Sequence, residues 1–205
     1  KGEKLPPGEF GVMHGYMKIP ELKKVCHAYG VSINEYLVAV YVWSVYTECM
    51  HGMPSERPVR VAVPVNLRPY FNSITTKNFF VMVSAEFHPT KEIYTFEEVL
   101  KSVSESLRSQ ISRENLEKLF SYNVSNEKLL AARIVPLFLK NLAMRYVYTT
   151  SALANTATVT NIGNISVSEE YRPYVEMFHA FLAMSKGQHL KGTICSYAVS
   201  YTHLT

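Results

Sequence analysis

Apolar residues crowd the stretch from Tyr36 to Tyr46, where Tyr36, Leu37, Val40, Tyr41, Trp43 and Tyr46 wrap most of a helix surface. A helix that is apolar on most sides is a buried one. Ser32 and Glu35 stand just ahead of it at the spacing of a capping box, in which each side chain bonds the other's backbone N–H. A shorter helix is predicted over Pro20–Tyr29, with proline in its first turn and Gly30 past its end. Thr95 and Glu98 form a second capping box. It opens a helix running to about Ile111, with Phe96, Val99, Leu100, Val103 and Leu107 on one face. From Arg113 to Tyr148 the pattern stays helical, with breaks predicted near Asn123 and just before Pro136.

Strand patterns fill the rest. Val59–Val65 is rich in β-branched residues and starts after Pro58. Asn78–Phe87 carries few polar positions, which predicts a central strand or one covered on both faces. The stretch "TATVTNIGNISV" predicts a strand ending in a turn at Asn161–Asn164. "YVEMFHAFLAMSKG" and "LKGTICSYAVS" predict two more, with turns at Gly187 and Gly192. The opening "KGEKLPPGEFG" is an irregular lead-in. Helices, two strands, more helices and three strands predict an α/β architecture, a mixed sheet with helices packed on it. No internal repeat is visible.

The chain has 205 residues, 47% of them hydrophobic, enough for the core of one domain or two small lobes. A net charge of +4, scattered among acids, argues against nucleic acid as a partner. Aromatics make up 12%; they either line a cleft or pack on the sheet. Cys26, Cys49 and Cys195 are odd in number and contain no CxxC, which favours a reducing, cytoplasmic setting and argues against a zinc site. No signal peptide is recognisable, and the apolar run near Tyr36–Tyr46 is too short for a membrane span. Lys1 is not a start methionine, so the chain reads as a fragment.

Familiar chemical signatures are absent: no Walker loop, GxGxxG, GxSxG or HExxH occurs. None of the seven histidines stands at ligand spacing from a carboxylate or another histidine. His179 differs by lying in a long apolar stretch, where burial would shift its protonation and place it along a substrate channel. Arg68 follows the strand Val59–Val65. A guanidinium buried at a strand end needs a carboxylate or several acceptors, and Glu56 and Glu86 are the nearest acids in sequence. The alternative is an exposed arginine paired with solvent. Asn161, ahead of Ile162 and Gly163, either holds a tight turn or presents its amide to a cleft.

The stretches "ELKKVCHAYGVSINEYLVAVYVWSV", "RPVRVAVPVNLRPYF", "TKNFFVMVSAEF", "ATVTNIGNISV" and "GTICSY" together resemble the C-terminal half of the CoA-dependent acyltransferase superfamily. That group includes chloramphenicol acetyltransferase, nonribosomal peptide condensation domains and alcohol O-acetyltransferase-like proteins. The resemblance implies one lobe of a two-lobed fold with a tunnel between the lobes. A histidine in an HHxxxD motif of the N-terminal lobe would act as general base on an alcohol or amine, which attacks a thioester. No HHxxxD occurs here, so the resemblance implies no catalytic residue in this chain. It makes Arg68 a latch to the aspartate of that motif, and Asn161, Gly163, His179 and Asn78 tunnel residues. It implies residues 1–198 as the C-terminal lobe, with the N-terminal lobe as partner and a small-molecule acceptor. No cofactor would be resident; acyl-CoA or an acyl-carrier thioester would be co-substrate. The alternative is a non-catalytic module of the same fold that binds a partner or carrier protein. The closing residues Val199–Thr205 depart from the pattern and read as a non-native tail.

Overall fold

In the computed structural model, which describes residues 6, 9–128, 135–183, 190–197 and 201–204, both capping boxes close. Ser32 accepts a bond from the Glu35 N–H, Glu35 accepts from the Ser32 N–H, and helix α2 (Ile33–Ser44) begins. Thr95 and Glu98 do the same for α4 (Phe96–Gln110). Helix α1 (Ile19–Ala28) precedes them, and a π-helical turn, Val45–Cys49, prolongs α2. These three helices bury their apolar faces against one side of a sheet.

The sheet has six strands in the order β1-β6-β5-β4-β2-β3. They are β1 (Gly15–Lys18), β2 (Val59–Asn66), β3 (Phe80–Phe87), β4 (Ala157–Ile165), β5 (Leu190–Tyr197) and β6 (Tyr201–Leu204). Strands β2, β4 and β5 run parallel, and β3, β6 and β1 join antiparallel. The predicted mixed sheet with packed helices is thus present. Its core joins Val38 and Val42 of α2, Val99, Val103 and Leu107 of α4, and Val61, Val63, Val83, Val159 and Ile194 of the sheet, all fully buried. Each such side chain stabilises the fold by about 1.5–3 kcal/mol relative to an exposed one.

Several expectations are corrected. Strand β3 is an outer strand, not a central one. It alternates: Val81, Val83, Ala85 and Phe87 are buried, while Phe80 and Met82 are exposed apolar residues that disguised the alternation in sequence. No turn ends the "TNIG" stretch. Strand β4 continues through it with a bulge between Asn161 and Gly163. Residues 175–183 form no strand, because both edges of β5 are already occupied, by β4 and β6. That segment is tied to β5 by side chains instead: Cys195 Sγ donates to Phe178 O at 3.7 Å and Lys191 Nζ to Ala183 O at 2.6 Å. Gly187 lies outside the described residues.

Helix α5 (Arg113–Lys128) runs unbroken through Asn123, contrary to the break predicted there. The break before Pro136 is present, and α6 (Leu137–Ala154) follows it. Strand β1 had no sequence signal, being four residues paired only with β6. A short helical turn, α3 (Arg68–Phe71), follows β2.

Candidate functional site

Parallel strands bring their carboxyl ends to one edge of a sheet, where the connections diverge and leave room for a ligand. Here that edge holds a cleft of about 600 Å³ formed by Asn161–Val167 after the middle of β4, Ile194–Tyr197 of β5, and the starts of α1 and α2. Its walls are apolar at Ile19, Ile33, Ile165 and Ile194. Lys23 and Arg172 bring positive charge, and Asn164, Ser166 and Ser196 bring neutral polar groups.

The bulge in β4 shapes one wall. Gly163 has φ +83°, a left-handed conformation that side chains with a Cβ disfavour. Asn161 Oδ1 accepts the Gly163 N–H at 2.9 Å and holds the kink. Both residues line the cleft. Asn161 thus holds a strand bulge in place of the expected turn, and the residue is exposed at the cleft. Tyr197, the last residue of "GTICSY", adds a polar atom of another kind. Its ring packs edge-on against Phe178 at 5.0 Å between centroids. Its Oη is buried and, among the described residues, bonded to nothing. A buried hydroxyl left so costs about 1–3 kcal/mol, and such an atom at a cleft wall is a ready partner for a ligand oxygen or nitrogen.

Arg68 sits past the carboxyl end of β2, on the same edge of the sheet. It is half-buried, and its guanidinium meets no acid among the described residues. Nε donates to Thr75 O at 2.9 Å, Nη2 to Lys77 O at 2.7 Å and Nη1 to Asn66 Oδ1 at 3.2 Å. The arginine thereby ties down the loop between α3 and β3. Asn78 is exposed on that loop and does not line the cleft. His179 is not in a buried strand. It is exposed, with its ring edge-on to His14 at 5.1 Å and parallel to Phe181 at 6.4 Å. The cleft thus brings together Asn161 and Gly163 and excludes Arg68, Asn78 and His179. Lys23, Arg172 and Tyr197 were missed from sequence. Lys23 and Tyr197 lay in stretches already matched to the acyltransferases, although neither was singled out there, and Arg172 carried no signal.

No protein-family model matches the chain, and no curated protein matches it. Solved structures do. The crystal structure of F. sporotrichioides TRI101 complexed with coenzyme A and T-2 is similar over 100% of this chain, at TM-score 0.61 and 12% identity. A nonribosomal peptide synthetase, FmoA3 in its α-methyl-L-serine-AMP bound form, is similar over 94% of it, at TM-score 0.56 and 16% identity. The chain has the fold of the CoA-dependent acyltransferases. A wax ester synthase/diacylglycerol acyltransferase from Marinobacter aquaeolei VT8 is similar over 93% of the chain, at TM-score 0.49 and 16% identity. The chain spans 49%, 20% and 41% of the length of these three structures respectively. Two-lobed enzymes of this group are its fold neighbours.

Proposed function

We propose that this chain is the C-terminal lobe of an acyltransferase that moves an acyl group from a coenzyme A or carrier-protein thioester to an alcohol or amine. The observation that carries this reading is the cleft at the carboxyl edge of β4 and β5. It combines apolar walls with the orphaned Tyr197 Oη and the charges of Lys23 and Arg172. Apolar walls suit an acyl chain or the pantetheine arm, and the cations suit the phosphates of the donor.

Acyl transfer also needs a group to take the acceptor's proton. In this reading that group is the histidine of an HHxxxD motif on an N-terminal lobe. Arg68 then has a second duty. Bonds to Thr75, Lys77 and Asn66 hold its guanidinium, and its remaining N–H donors would latch the aspartate of that motif. Asn161 and Gly163 would face the tunnel between the lobes.

Two measurements test this. Titration calorimetry of coenzyme A or an acyl-pantetheine against the 205-residue chain should show binding that weakens about tenfold in Tyr197→Phe, the loss of one hydrogen bond. The chain by itself should transfer no acyl group from acetyl-CoA, whereas the complete reading frame should. A complete reading frame that lacks HHxxxD and binds carrier protein without turnover would replace the enzyme by a binding module of the same fold.

A further inference from the structure

The cleft described above lies at the carboxyl ends of the parallel strands. A second cavity, of about 410 Å³, lies at their amino ends, where α6 gives way to β4 beside the start of β2. Its lining is Arg57, Pro58, Arg60, Ala154, Asn155 and Thr156. The Thr156 N–H donates to Arg60 O at 2.8 Å and the Arg60 N–H to Thr156 Oγ1 at 3.2 Å, so the two strand starts are tied together here. Each polar side chain of this lining has a donor to offer. Thr156 Oγ1 already accepts, which leaves its hydroxyl hydrogen to donate. Asn155 Oδ1 accepts from Ser84 Oγ at 3.0 Å, which sets Nδ2 as the donor side of that amide. Arg57 is exposed and has no acidic partner among the described residues. Arg60 Nε is buried and stands 2.8 Å from Glu86 Oε1 without the alignment of a hydrogen bond. Glu86 also faces His88 Nε2, at 3.4 Å, and no acid lines the cavity itself.

We propose that this cavity is an anion site, built for the phosphate group of a small phosphorylated molecule. Two guanidiniums lining one cavity repel each other, and a dianion between them replaces that repulsion by attraction. Guanidinium groups hold phosphate oxygens through paired N–H donors. A tetrahedral phosphate has acceptors for both arginines, Thr156 and Asn155 at once, whereas a planar carboxylate is used up by one guanidinium. The carboxyl end of α6 opposes an anion here with roughly half a negative charge. That charge and Glu86 together fall short of two full positive ones, so the attraction is modest. A dissociation constant on the order of 1 mM is expected for inorganic phosphate, rising with added salt. Phosphate fills only part of the cavity; the remainder, beside Pro58 and Ala154, takes the carbon skeleton that carries it. The site stands at the opposite strand ends from the proposed acyl-transfer cleft and does not depend on that reading.

Titration of inorganic phosphate into the 205-residue chain, followed by amide chemical shifts, tests it. Saturable shifts should gather at residues 57–60 and 154–156. Arg57→Gln removes an exposed side chain that no acid holds, so it should weaken binding about tenfold while the melting temperature stays within a degree or two. Arg57→Lys should recover only part of the loss, since an ammonium lacks the paired donors. Acetate should bind at least about tenfold more weakly than phosphate. Glycerol 3-phosphate and vesicles containing phosphatidic acid separate a soluble ligand from a lipid headgroup: the tighter binder that depends on Arg57 names the source. Lys23→Gln, in the other cleft, should leave these shifts unchanged. Shifts that follow Lys23 rather than Arg57 overturn the proposal. So do acetate binding as tight as that of phosphate, or no saturation below about 50 mM.

Discussion

Arg108 Nε donates to Glu35 Oε1 at 2.6 Å, and this pair joins α4 to α2 across the helical layer. Ser104 Oγ donates to the same oxygen at 2.8 Å, and Arg108 also reaches Gly30 O. Glu35 has two duties at once: it completes the capping box of α2 and fastens that helix to its neighbour. Burial pushes its carboxyl up, but the hydrogen bonds from Arg108, Ser32 and Ser104 outweigh burial and hold it at about 2.

A folded-state value below the usual 4.5 of a free carboxyl means that the unfolded chain takes up this proton first. Glu35 therefore stabilises the fold fully above pH ~4.5, and the contribution fades as pH falls through ~2. Thermal melts between about pH 2 and 6 should show a falling acid limb. Glu35→Gln should lower stability at neutral pH by roughly 2 kcal/mol and flatten that limb. A limb of unchanged slope in the variant would assign the acid sensitivity to other groups.

Arg68→Ala removes the three bonds that hold Thr75, Lys77 and Asn66. It should cost about 1–3 kcal/mol and lower the melting temperature by a few degrees, with faster amide exchange confined to residues 72–79. Arg68→Lys should recover little of this, since an ammonium lacks the planar fork that reaches separate carbonyls. In the complete acyltransferase proposed above, Arg68→Ala should also reduce turnover, and charge reversal at both latch partners should partly restore it.

Gly163→Ala forces a Cβ into φ +83°, although no neighbouring atom lies within 4 Å of where it would stand. The cost is backbone strain alone, about 1–2 kcal/mol. Asn161→Ala should weaken the same kink by removing the bond to the Gly163 N–H. Both variants should loosen ligand binding in the cleft more than they lower the melting temperature. Calorimetry beside thermal denaturation separates the two effects.

Gly192→Ala acts through space rather than strain. A Cβ there would stand 3.3 Å from Tyr41 Cε2, on α2, and 3.4 Å from Val159 Cγ2, on β4. The ring must give way, at about 1 kcal/mol for alanine and more for valine. Chemical denaturation of the two variants should rank them in that order.

Much of the molecule was legible along the chain because the signals are local. Ser32 with Glu35 and Thr95 with Glu98 mark helix starts through bonds that span three residues. The apolar spacing behind them names the buried faces of α2 and α4, and Val59–Val65 reads as a strand from its β-branched residues. The layered α/β class follows from the order of these elements. The stretches around "VPVNLRP", "TNIG" and "GTICSY" carried the acyltransferase resemblance that the fold then bore out.

Tertiary structure alone decided what depends on neighbours distant in sequence. Whether the apolar run at Phe178 becomes a strand was settled by β4 and β6 occupying both edges of β5. Strand β3 became an outer strand because side chains of α4, not a further strand, bond its outward peptide groups at Ser84 and Glu86. Two of the three acceptors of Arg68 are backbone carbonyls, of Thr75 and Lys77, which every residue possesses and no pattern singles out. The cleft gathers Lys23, Asn161, Arg172 and Tyr197 from elements spread over most of the chain. Periodicity reports which face of an element is buried; which other element buries it is fixed only when all of them compete for the same sheet edges and the same volume.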